Sequence, residues 1–229
     1  DKDPFALRRA ALGVIRIILA QTQPVSLMTL INESVSIWLN QQARFSSSHD
    51  TSANVYSFIE ERLRYFWLEH ADFSALPREQ LARAIDAVFA KKNDDFSDYR
   101  ARLFAVIAFL GLSEAAALAS ANKRVNNLLT KEKVDGSIVL SIDAHLFEHQ
   151  AERDLFTELT NVQIGLSTML TKRDYVAALH SLAALKNPID AFFNDVMVLV
   201  ENSAVRHNRL AILSTVQRLL SSVADISLL

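Results

Sequence analysis

An all-α fold follows from three features of the sequence. It has only four glycines and four prolines in 229 residues, half of its composition is hydrophobic, and apolar residues recur every three or four positions along most of its length. Scarce glycine and proline leave few tight turns, which disfavours a sheet of many hairpins and favours long helices. A chain of this length can bury one large core or two modest ones. The predicted architecture is a helical bundle divided into two helical subdomains.

Asp3 and Pro4 make a helix start, with proline tolerated in the first turn, and Leu7, Ala11, Val14, Ile15 and Ile18 continue at helical spacing until about Gln21–Pro24. A second helix is predicted through Leu27, Leu30, Ile31, Val35, Trp38 and Leu39, ending at a serine-rich break over Phe45–Ser52. Val55–Glu69 reads as a third helix, and Pro77 opens a fourth through Leu81, Ile85 and Val88. Lys91–Ser97 is polar and unpatterned, which places the subdomain boundary there, with residues 1–96 on one side and 97–229 on the other. Helix resumes from Tyr99 to Leu110, Gly111 ends it, and Ser113 offers an N-cap oxygen to the next helix.

That next helix is predicted to bury Leu118, Ala121, Val125 and Leu128. Ser120, Lys123, Asn127 and Lys131 then align on another face, with Arg124 beside them. After a turn at Asp135 and Gly136 come a short β-leaning run, Ile138–Ile142, a long helix to Leu170, another from Asp174 to Leu185, and one that starts at Pro188. The last element, from about Asn202, carries Val205, Ile212, Val216, Leu219, Leu220 and Val223 on one face. Arg209 falls on that same face and so requires a partner.

Charge and composition exclude several classes. The absence of cysteine rules out a disulfide framework and thiolate metal sites and fits a reducing, cytoplasmic setting. The longest apolar stretch, Leu103–Leu112, is shorter than the roughly 20 residues a membrane crossing needs, so no membrane association is expected. The first residues lack a Met and any signal-like region, which suggests a piece of a longer polypeptide. Net charge is −2, so a polyanion would have to be held by local patches. Two acid-free windows supply them: Ala115–Lys131 with Lys123, Arg124 and Lys131, and Asn202–Ala224 with Arg206, His207, Arg209 and Arg218.

No catalytic constellation stands out. His145 and His149 lie one helical turn apart, the spacing that can chelate zinc, but Glu148 is misplaced for HExxH and no third ligand is evident, so a solvated helix face is the expected reading. His49 and Asp50 form an HD dipeptide in the serine-rich loop, without the further ligands a metal phosphohydrolase needs. The four glycines, at 13, 111, 136 and 165, are too dispersed for a P-loop, GxGxxG or GxSxG. The functional candidate is the row of Ser120, Lys123, Asn127 and Lys131 with Arg124. Ammonium and guanidinium groups neutralise phosphates, while amides and guanidinium can read base edges. An ordinary solvated helix face is the alternative. Arg206 faces the same choice, and Arg209 is either a ligand contact or a buried arginine paired with Asp190 or Asp195. Phe104, Phe109, Phe192 and Phe193 are expected in the core.

Four segments occur in order: DKDPFALRRAALGV at 1–14, ALASANKRVNNLL at 117–129, IDAFFNDVMV at 189–198 and RHNRLAIL at 206–213, followed by a terminal ADISLL. Together they resemble the C-terminal third of the β subunit of bacterial glycyl-tRNA synthetase, over essentially the whole chain. The resemblance implies that residues 97–229 form an anticodon-binding domain shared with arginyl-tRNA synthetases. Residues 1–96 would form a helical body including the end of an HD-type domain. It further implies glycine tRNA as the ligand, held by Lys123, Arg124, Asn127, Lys131 and Arg206, with Arg209 either structural or in contact with the tRNA.

The implied partners are the α subunit and a second β subunit. The fragment itself is expected to be non-catalytic and without a cofactor, since ATP and magnesium serve the whole enzyme mainly in the other subunit. Two departures stand out: Asn194 where the family's motif reads FFD, and Asn202 where the family usually has an acid. A rival reading is an assembly module that docks another subunit, for which the early half with DPFALRR and Trp38 is the better candidate.

Overall fold

The computed structural model describes residues 5–21, 23–41, 50–74, 76–134 and 140–229. Ten α-helices form among them, and the one ladder contact is a single antiparallel bridge between Ser26 and Asp95. No single helix among the described residues is long and apolar enough to cross a bilayer. The chain divides into two compact units, one comprising Asp1–Ile85 with Lys92–Arg100, the other Asp86–Lys91 with Ala101–Leu229. The division falls within the helices α4 (Arg78–Phe89) and α5 (Phe96–Leu110).

The first unit is built on α1 (Leu7–Leu19), α2 (Leu27–Gln41) and α3 (Thr51–Leu68). Both α1 and α2 pack on α3. The contact stripe on α3 is Ile59, Leu63 and Trp67, one residue per turn, against Ala11, Ile15 and Ile18 of α1 and Leu27 and Ile31 of α2. The predicted Asp3–Pro4 start of α1 and His49 of the HD dipeptide lie outside the described residues, as does most of the serine-rich break. Asp50 precedes α3 without capping it.

The polar 91–97 stretch has an ordered role here. Asp95 caps α5, its Oδ1 accepting from the Ser97 and Asp98 amides at 2.9 and 3.2 Å. The Leu27 amide donates to the Asp94 carbonyl at 3.1 Å, and the Tyr56 hydroxyl donates to the Asn93 carbonyl at 2.6 Å. Local turn chemistry, invisible to an apolar periodicity, makes α5 start at Phe96 rather than Tyr99.

The second unit surrounds α10 (Ser203–Leu220), which buries Val205, the run Asn208–Val216, Leu219 and Leu220. This is burial on every side rather than on the single predicted face, the pattern of a helix at the centre of its unit. Around it stand α6 (Ala115–Lys131), α7 (Gln150–Thr171), α8 (Tyr175–Leu182) and α9 (Lys186–Asp195). A 3-10 turn over Ile226–Leu228 closes against α6.

The buried stripe of α6 is Ala115, Leu118, Asn122, Val125 and Leu129, so Asn122 and Leu129 replace the predicted Ala121 and Leu128, which are half-buried. The polar members of this seam are matched by the chain end. The Asn122 amide donates to Ser221 Oγ at 3.3 Å, and that of Asn126 to Ser227 Oγ at 3.1 Å. Ser113 does not cap α6, because its hydroxyl donates to Glu114 at 2.8 Å instead. The expected β-leaning run is only partly described, and Leu140–Ile142 form no strand. Phe104, expected inside, is 39% exposed, while Phe109 and Phe192 are fully buried.

Asn202 is the N-cap of α10: its side-chain oxygen accepts from the Ala204 and Val205 amides at 3.0 and 3.3 Å. An amide and a carboxylate cap equally well, so this position has no need of an acid. Asn202→Asp is therefore expected to shift stability by only a few tenths of a kcal/mol and Asn202→Ala to cost about 1 kcal/mol, both read from urea unfolding followed by circular dichroism.

Candidate nucleic-acid interface

The outward face of α6 carries Ser120, Lys123, Arg124, Asn127 and Lys131, all exposed, as the helical period requires once Leu118, Val125 and Leu129 turn inward. Three of them, Arg124, Asn127 and Lys131, line one wall of a groove of about 770 Å³. The opposite wall is the end of α9 and the segment after it, from Phe193 to Leu199. That wall was not recognisable from the sequence, since it lies more than sixty positions away and is brought up by the packing of α9 on α6. Its nearest sequence signal is the IDAFFNDVMV segment itself.

Arg124 places its guanidinium carbon 3.9 Å from the centroid of the Phe193 ring. A cation over an aromatic face is worth about 0.5–1 kcal/mol at an exposed site, enough to bias the side chain towards one position above the groove. Phe193 is thereby half-buried under Arg124 rather than in the core. Beyond it Val196 is extended and the chain bends at Val198 and Leu199, with Val196 and Val198 buried and Met197 and Leu199 exposed at 72% and 40%. Met197 and Leu199 give this wall of the groove an apolar edge.

Lys123, Asn127, Lys131, Asn194 and Asp195 make no side-chain hydrogen bond or ion pair with any described residue. Their polar groups are thus available to a ligand. Lys123 lies on the same helix but outside the groove lining, and Arg206, half-buried in the first turn of α10, is also outside it.

Arg209 is elsewhere altogether. Its side chain is 1% exposed, with Nε donating to Glu152 Oε1 at 2.9 Å, Nη2 to Glu148 Oε2 at 2.7 Å and Nη1 to the Met197 carbonyl at 3.0 Å. The partners are therefore Glu152 and Glu148 at the start of α7, not Asp190, which pairs with Lys186 at 3.3 Å, nor Asp195. Glu152, fully buried, also accepts from the Glu148 and His149 amides at 2.8 and 2.7 Å. Burial alone would raise its carboxyl, but the Arg209 guanidinium and those two amides outweigh burial and hold it below the usual carboxylate range. Burial would likewise lower Arg209, and the two glutamates push it up instead.

The remaining candidate for metal chemistry does not assemble. His145 lies in a short 3-10 turn, Ala144–Leu146, and His149 precedes α7, so the two imidazoles do not share a helix. Among the described residues no three His, Asp or Glu side chains form a metal-ligating group.

Residues 118–226, which hold both walls of the groove, match the DALR anticodon binding domain, and residues 1–85 match a family described as glycyl-tRNA synthetase beta subunit. Curated relatives match the chain from end to end. The glycine–tRNA ligase beta subunits of Alteromonas mediterranea and Colwellia psychrerythraea are 41% and 40% identical over 232 and 229 residues, and that of Coxiella burnetii (strain RSA 493) is 42% identical over 229 residues. Each alignment covers 100% of this chain. Throughout, the chain matches the C-terminal part of glycine–tRNA ligase beta subunits. It spans 31% of the length of each of these relatives.

The Arg209–Glu152 pair generates a stability prediction. Glu152→Gln leaves a buried guanidinium with only the half-exposed Glu148 and is expected to cost about 3 kcal/mol in urea unfolding at pH 7. Because the native carboxyl is depressed, its contribution is complete above the ordinary glutamate value of about 4.3 and is lost as pH falls through the lower native value. The Gln variant should accordingly show a smaller loss of stability between about pH 4.5 and pH 2 than the parent.

Proposed function

We propose that this chain is the C-terminal, tRNA-holding part of a glycine–tRNA ligase β subunit, with residues 97–229 acting as the anticodon-binding domain and residues 1–96 as a helical body. The observation that carries this reading is the α6–α9 groove. Arg124, Asn127 and Lys131 face Phe193 and Met197 across it, inside the region that matches the DALR anticodon binding domain, and their hydrogen-bonding groups are unclaimed by any described residue. An RNA hairpin loop presents splayed bases whose edges are accessible, whereas the major groove of an A-form stem hides them. Lys131, with Lys123 further along the same helix and Arg206 on α10, supplies phosphate contacts that position the loop. Arg124, steadied on Phe193, offers a guanidinium surface on which a base can stack, and the Asn127 amide can hydrogen-bond a base edge. The aminoacylation chemistry, with its ATP and magnesium, belongs in this reading to the α subunit in the cytoplasm.

A second reading, subunit docking, attaches to the first unit. Val14, Leu27, Leu30, Ile31, Val35 and Trp38 line an apolar groove of about 630 Å³, with Leu30 and Trp38 exposed at 44% and 46%. The two readings concern different units and are compatible.

Two measurements test them. Titrating the chain with a glycine tRNA anticodon stem–loop across salt concentrations should show Lys123→Ala and Lys131→Ala weakening binding for all loop sequences. Each should reduce the log–log salt slope by a little under one, while Arg124→Ala should narrow the preference for the cognate loop over an anticodon-swapped one. Unchanged affinity and slope in all three variants would refute the assignment of this face. For docking, Trp38→Ser in the whole enzyme is expected to weaken co-elution with the α subunit or β–β association while leaving stem–loop affinity intact. Unaltered assembly would remove the second reading.

A further inference from the structure

The groove contains one group that a surface built only to attract a phosphate chain would not carry. Asp195 lines it together with Arg124 and Lys131, is exposed, and makes no hydrogen bond or ion pair with any described residue. Local structure gives no reason for it either. It is the last residue of α9, where the helix macrodipole is negative and a carboxylate is disfavoured. Near the same groove the carboxylate also repels phosphate. An unneutralised acid in this position is free to accept hydrogen bonds from a ligand's N–H groups.

We propose that Asp195 makes the groove selective for a base whose Watson–Crick edge sets an exocyclic amine beside an acceptor ring nitrogen, cytosine or adenine, over uracil. This inference rests on the RNA-binding reading above. Cytosine N4 and adenine N6 donate from the position at which uracil O4 presents a lone pair, so a carboxylate accepts from the first two and is repelled by the third. The neighbouring donors complete the match. On cytosine and adenine the ring nitrogen beside the amine is an acceptor, and Arg124, Asn127 and Lys131, on the facing wall, can donate to it. A carboxylate facing donors on the opposite wall thus complements an amine next to an acceptor. Arg124 and Lys131 bring the RNA in, and Asp195 decides which base stays.

The test uses two RNA stem–loops with a common stem, one with a loop of cytidines and one with a loop of uridines, titrated against the chain. The parent protein is expected to bind the cytidine loop about tenfold more tightly. Asp195→Asn, whose amide can either donate or accept, is expected to bring the two affinities to within about twofold, chiefly by tightening the uridine loop as the repulsion disappears. Asp195→Glu, which retains the carboxylate, should restore part of the preference. A merely structural role would move both affinities together and leave their ratio alone. A parent with no preference, or a preference that survives in Asp195→Asn, overturns the role of Asp195 alone, provided that the double variant Arg124→Ala/Lys131→Ala loses binding to both loops. If that double variant binds both as the parent does, the groove itself is not the RNA site and both readings fail.

Discussion

A guanidinium at 1% exposure against a carboxylate at 0% is the constraint around which the second unit is arranged. Neither charge could remain ionised in an apolar interior without its full set of partners, and the partners come from three separate places in the chain. Arg209 comes from the middle of α10, Glu152 from the first turn of α7, and the Met197 carbonyl from the segment that follows α9. Glu152 in turn occupies the free amides of Glu148 and His149 at the start of α7, so one buried acid both balances the arginine and finishes a helix end. Asn208, one residue before the arginine, clasps the backbone of Asp143 through both its carbonyl and its amide, at 2.8 and 2.9 Å. Arg209 and Asn208, buried in α10, thus fix the Met197 backbone in the groove wall together with Asp143 and the start of α7.

The cationic row on α6 was legible in the sequence because it depends only on the helical period and on charge. Its inward face was less so. Asn122 is fully buried and Ala121 is not, and a reading that assigns apolar residues to the core cannot choose an asparagine over an alanine on a helix where both lie near the boundary. What admits Asn122 is Ser221, ninety-nine positions later, a pairing that only the assembled unit creates. Arg209 was recognisable as an arginine on an apolar face, and the need for a partner followed from that. The identity of the partner did not, because Asp190 is close in sequence and Glu152 is close in space. The end of α9 carried the same difficulty: its motif pointed to the family, but nothing local says that Phe193 lies beneath Arg124 or that Asp195 shares a groove with Lys131.

The chain's small net charge of −2 and its clustered cations belong to one electrostatic design. With no overall field to gather polyanions indiscriminately, attraction is confined to surfaces within about a Debye length of the cationic row, some 8 Å at physiological salt. Short-range contacts then decide what is retained. A groove in which cations, two amides, an aromatic ring and one acid converge is better suited to discriminating among ligands than to binding any of them strongly.

The alternation along Val196–Leu199 has a further consequence for how this wall can diverge. Two valines point into the core while Met197 and Leu199 point out, and Arg209 grips the backbone between them. Side chains can be exchanged at the outward positions without disturbing that register, so the wall is open to variation by point substitution. An insertion or deletion would instead displace the two buried valines and the Met197 carbonyl that Arg209 holds. Divergence of ligand preference at this wall should therefore proceed by replacement at fixed length, with gaps displaced to either end of the segment.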